Sequence, residues 1–110
     1  MPDIPKARMS ARERELRSRL AQLLSRAALA RGSLSVREKS CGKPTCRCAR
    51  GEKHRAVYLV ASDGGKVRQL FIPRTLEAET RECVETYQRI RELLEELSRL
   101  HWDKLQRREL

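Results

Sequence analysis

Residues 76–110 contain neither glycine nor proline, and this uninterrupted stretch constrains the fold more than any other feature of the chain. Cys83, Val84, Tyr87, Ile90, Leu94, Leu97 and Leu100 recur along it at helical spacing, so one long helix is expected. At 1.5 Å per residue that helix would extend for roughly 50 Å, beyond the width of so small a domain. Part of it must therefore project or be covered. An antiparallel N-terminal helix could cover a portion, leaving Ile90, Leu94 and Leu97 as a coiled-coil seam for a homodimer; an intramolecular helical hairpin is the alternative.

The N-terminal helix has its own signals. Residues 1–9, with two prolines and no periodicity, read as a disordered basic arm, and residues 10–110 as a single domain. Ser10 followed by Glu13 forms a capping box, Leu16, Leu20, Leu23, Leu24 and Ala27 share a face, and Gly32 is expected to cap the C-terminus. Arg12, Arg19 and Arg26 line the opposite face, where they could meet phosphates or simply solvent.

After Gly32 the period changes. Leu34 and Val36 alternate with polar residues in a short strand, and residues 56–62 and 66–72 form a hairpin around Asp63-Gly64-Gly65. The face pattern selects the register. A two-residue loop at Gly64-Gly65 pairs Val57 with Ile72 and Leu59 with Leu70, whereas a loop at Asp63-Gly64 would set Leu59 opposite Arg68. Pro73 ends the second strand and Thr75 is expected to cap the long helix. The fold class is therefore α+β: an N-terminal helix, a small antiparallel sheet interrupted by a metal knuckle, and a long C-terminal helix. Aromatic residues make up only 4% of the chain, so its core must be aliphatic and thin, and a metal ion or partner chain would support it.

The knuckle lies between the first strand and the hairpin. Cys41, Cys46, Cys48 and His54 follow a Cys-x4-Cys-x-Cys-x5-His spacing, and Gly42, Pro44 and Gly51 stand where the backbone must turn. Thiolates and an imidazole make a closed tetrahedral shell of the kind structural Zn²⁺ takes, so Zn²⁺ is the expected cofactor. Competing uses are a redox pair of Cys46 and Cys48, an iron–sulfur cluster lacking one cysteine, and plain buried thiols. Cys83 could replace His54 as ligand, although its place on the apolar stripe favours a small buried hydrophobe. Without an apolar leader or any apolar run longer than Ala56–Ala61, the chain reads as cytoplasmic and not membrane-bound, a reducing setting in which disulfides are disfavoured.

Charge is distributed unevenly. Residues 1–55 hold 15 Lys/Arg against 5 Asp/Glu, whereas residues 56–110 are neutral, so the whole net charge of +10 resides in the first half. Such asymmetry is the electrostatic footprint of a polyanion binder, and DNA or RNA is the expected partner. Arg37, Lys39, Lys43, Arg47, Arg50, Lys53 and Arg55 are the candidate contacts, seven basic residues opposed only by Glu38 and Glu52. No catalytic constellation is evident, since the only imidazoles are His54 and His101 and no phosphate loop or nucleophile elbow occurs. A non-enzymatic accessory or regulatory protein is expected. The alternative is a protein-interaction module with a purely structural zinc site and a coiled-coil helix.

The run Arg31-Gly32-Ser33-Leu34, then Cys41-Gly42-Lys43-Pro44, Cys46-Arg47-Cys48 and Gly51, followed by a Tyr-containing strand and a long helix, resembles a family of small bacterial and archaeal proteins of unknown function. The resemblance spans about residues 31–100 and rests on the Cys-Gly-Lys-Pro-x-Cys-x-Cys knuckle and the strand-hairpin-helix order. It implies the metal loop and the fold, and it brings no catalytic residues. Relatives carry Gly-Pro-Tyr after the histidine, where this chain has Arg55-Ala56-Val57-Tyr58.

Overall fold

A computed structural model describes residues 1–39, 45 and 54–110 of the chain. Its elements are α1 (Ala11–Arg26), β1 (Ser33–Lys39), β2 (His54–Asp63), β3 (Lys66–Ile72) and α2 (Glu77–Gln106), with 3-10 turns at Lys6–Arg8 and Arg74–Leu76. This is the α+β order expected from the sequence. Among the described residues no helix is long and apolar enough to cross a membrane. Two compact units can be distinguished, residues 1–29 with 86–110, and residues 30–85.

The first unit is a pair of helices. Ser10 caps α1 by accepting from the Glu13 N–H at 3.1 Å, half of the expected capping box. The helix ends earlier than expected, with Ala27 as its C-cap, five residues short of Gly32. Glu13 at the start of α1 meets Lys104 and His101 near the end of α2, so the two helices run antiparallel. Their core is Leu16, Leu20, Ile90 and Leu93, with Leu23, Leu97 and Leu100 packed against it. Of the residues expected to form a dimer seam, Ile90 thus lies inside this core and Leu97 at its margin, while Leu94 is 51% exposed. Leu93, rather than its neighbour Leu94, faces α1.

Glu13 is fully buried, which is unusual for a carboxylate and requires partners. Lys104 Nζ donates to it at 3.2 Å and Arg17 Nε at 3.0 Å, and His101 Nε2 lies 3.4 Å away. Burial pushes the carboxyl pKa up, but the bonds from Lys104 and Arg17, with His101 beside them, outweigh it and hold the group below its ordinary value. A lowered folded-state pKa contributes stability that is complete above the unfolded value of 4.5 and is lost as pH falls through the folded one. Urea midpoints measured from about pH 2 to 7 should therefore drop on the acid side, and Glu13→Gln should flatten that limb while lowering stability at neutral pH. An acid limb unchanged in Glu13→Gln would remove this role from the residue.

The second unit is an antiparallel meander in the order β1-β2-β3. Val57 pairs with Ile72 and Leu59 with Leu70, the register selected from the face pattern. Gly64 and Gly65 occupy positive φ of +57° and +80° in the connecting turn, as a two-residue hairpin loop demands. Among its described residues, Val57, Ile72 and Val84 are the buried apolar side chains. Gly32 directly precedes β1 rather than ending α1: its φ is +146°, and a Cβ there would come within 2.6 Å of the Val60 carbonyl oxygen. The glycine that reads as a helix cap is required instead by close approach to β2. A 3-10 turn at Arg74–Leu76 follows Pro73, with no side-chain cap, where Thr75 was expected to cap α2.

Candidate nucleic-acid interface

Strand alternation divides the side chains of the meander between two faces. Leu34, Val36, Val57, Leu59, Leu70 and Ile72 share one face, because each lies directly across from another of the set. Arg55 belongs to this side and reaches Glu77 in the first turn of α2 at 2.8 Å, so α2 begins on the side that buries Val57. The opposite side carries Ser35, Arg37, Tyr58, Val60, Gln69 and Phe71, and among the described side chains none on it is buried.

That open face is organised around Tyr58. Phe71 lies directly across from it on β3, with ring centroids 5.8 Å apart in an edge-to-face arrangement. On its other flank the Arg37 guanidinium sits 4.3 Å from the Tyr58 ring centroid, a cation–π contact that fixes the long side chain. Phe71 remains 54% exposed. Among the described residues the face has no carboxylate, whereas Glu38 and Asp63 fall on the other side. Two of the four aromatic residues of the chain thus stand side by side on this face next to a cation.

The contacts expected from charge alone are distributed unequally. Arg37 stands in the cluster just described, whereas Arg55 is on the opposite side and its charge is matched by Glu77. Lys39 ends β1 across from His54, the exposed first residue of β2. Lys43, Arg47, Arg50 and Lys53 lie outside the described residues, as do the candidate ligands Cys41, Cys46 and Cys48. Cys83, the alternative ligand, is half-buried on α2, and its carbonyl accepts from the Ala30 N–H at 3.2 Å. On α1 the arginine stripe is partly matched by acids: Arg12 pairs with Glu15 and Glu96, and Arg19 with Glu15.

Tyr58 and Phe71 were not among the residues singled out by charge. Their signal was present in the register, which places them opposite one another as soon as Val57 is set against Ile72. Neither curated proteins nor solved structures gave a match to this chain. One family does match, described as a domain of unknown function (DUF6788), over residues 7–82, so the match takes in α1 as well as the sheet. With most of its length covered, the chain belongs to the DUF6788 family.

Proposed function

We propose that this is a non-enzymatic nucleic-acid-binding protein, acting through the open face of the sheet and the basic segment 37–55, with a structural Zn²⁺ held by Cys41, Cys46, Cys48 and His54. The observation that carries the reading is the sheet face on which Arg37 sits over Tyr58 beside the exposed Phe71, with no carboxylate on it among the described residues. Segment 37–55 adds a local charge of +5 directly alongside it in sequence. The zinc site is supported by the strand pairing. Lys39 and His54 are register partners, so the chain leaves β1 and re-enters β2 at neighbouring points, as a closed metal loop requires. Cys41 follows the end of β1 by two residues and His54 opens β2. The Cys-Gly-Lys-Pro-x-Cys-x-Cys knuckle is the corresponding feature of the resembling family.

The reading is tested by substituting Arg47 and Arg50 together with alanine. Affinity for every nucleic-acid sequence should fall, and the slope of log K against log salt should flatten by up to about two units. An unchanged slope would contradict phosphate contact by this segment. One observation favours a protein-interaction module instead: Leu94, Trp102 and Leu105 are all more than half exposed on α2. On that reading the double substitution leaves partner binding intact.

A further inference from the structure

The open sheet face offers more than positive charge, and we infer that it is a base-stacking platform selecting single-stranded over duplex nucleic acid. This inference rests on the nucleic-acid reading above and names the form of the partner. Duplex recognition through phosphates needs only cations. Here the cation is combined with aromatic surface: Phe71 is 54% exposed, Tyr58 lies across from it, and the Arg37 guanidinium is laid over the Tyr58 ring at 4.3 Å. Unstacked bases stack on aromatic rings and on guanidinium planes alike, and only a strand with splayed bases presents them.

The occupant is chosen by charge complementarity. No carboxylate shares the face among the described residues, so a polyanion can approach without repulsion, and the chain as a whole carries +10. A purely apolar partner would leave Arg37 desolvated and unmatched, whereas a strand brings a phosphate for each base. Phe71 and Tyr58 stand on neighbouring strands with ring centroids 5.8 Å apart and planes inclined at 68°, so an unstacked base can lie on the exposed Phe71 ring while the Arg37–Tyr58 pair flanks it. Arg37 joins charge and aromatic contact in one group: its guanidinium sits 4.3 Å from the Tyr58 ring centroid and carries the donors a phosphate would accept from.

The experiment is fluorescence anisotropy with the full chain and labelled oligo-dT, oligo-U and a dA·dT duplex of equal length, at several salt concentrations. Single strands should bind more tightly than the duplex. Phe71→Ala should weaken single-strand binding roughly tenfold or more without altering the salt slope, and Phe71→Tyr should restore it. Arg37→Lys, which keeps the charge but not the plane, should weaken single strands more than duplex. Equal binding of strand and duplex, salt-dependent and indifferent to Phe71→Ala, would overturn the stacking platform while leaving the polyanion reading intact. Polyglutamate competing as well as oligo-U would overturn it too. Binding no better than that of an equally basic control protein would remove both readings together.

Discussion

Purified protein is expected to carry about one zinc ion per chain and to lose its sheet when the metal is removed. Structural zinc contributes about 10–16 kcal/mol of apparent binding free energy in small zinc domains, as much as the whole stability of an ordinary domain. Among the described residues of the unit formed by residues 30–85, Val57, Ile72 and Val84 are the buried apolar side chains, so a metal proposed to tie the ends of β1 and β2 would carry a large share of its stability. Metal analysis gives the stoichiometry. Hydrogen exchange after chelation should show loss of protection in Ser33–Lys39, His54–Asp63 and Lys66–Ile72, and Cys46→Ser should reproduce it. A chain that stays protected without metal and is unaffected by Cys46→Ser would end the zinc proposal.

The second large effect lies in the helix pair. Leu93 is 2% exposed in its core and Leu94 is 51% exposed. Leu93→Ala should cost about 2–5 kcal/mol through lost burial and the cavity left behind, whereas Leu94→Ala should cost less than about 1 kcal/mol. Urea denaturation at two protein concentrations measures both. The contrary result would be a greater loss in Leu94→Ala with a midpoint that shifts with concentration. That outcome would restore the homodimer seam through Ile90, Leu94 and Leu97.

The apolar periodicity of α2 does not by itself separate Leu93 from Leu94. Leu93 and Leu94 are adjacent and equally apolar, and over a few turns a spacing of 3.5 residues is hard to tell from 3.6. Only the position of α1 decides between them. Glu13 is a similar case: in the sequence it is half of a capping box, but its burial depends on Lys104, 91 residues away. Gly32 carries a helix-stop signal, yet the constraint on it comes from the Val60 carbonyl, which no local pattern reveals. The sheet was easier to read. Gly64-Gly65 and the apolar alternation together admit one sensible register, and Tyr58 and Phe71 follow from it as an outward pair. A count of cations passes over these two rings and takes in Arg55, whose guanidinium is held by Glu77. For the cysteines the spacing itself carries the reading, since three of the four candidate ligands lie outside the described residues.

The central claim is that this basic chain recognises nucleic acid rather than merely adhering to it. The most direct test is affinity for oligo-U across a salt series, measured beside an unrelated protein of the same length and a net charge of +10. The account predicts tighter binding than the control at every salt concentration, with a residual non-electrostatic component that persists at high salt, where phosphate contacts have been screened. Superimposable curves for the two proteins would contradict it.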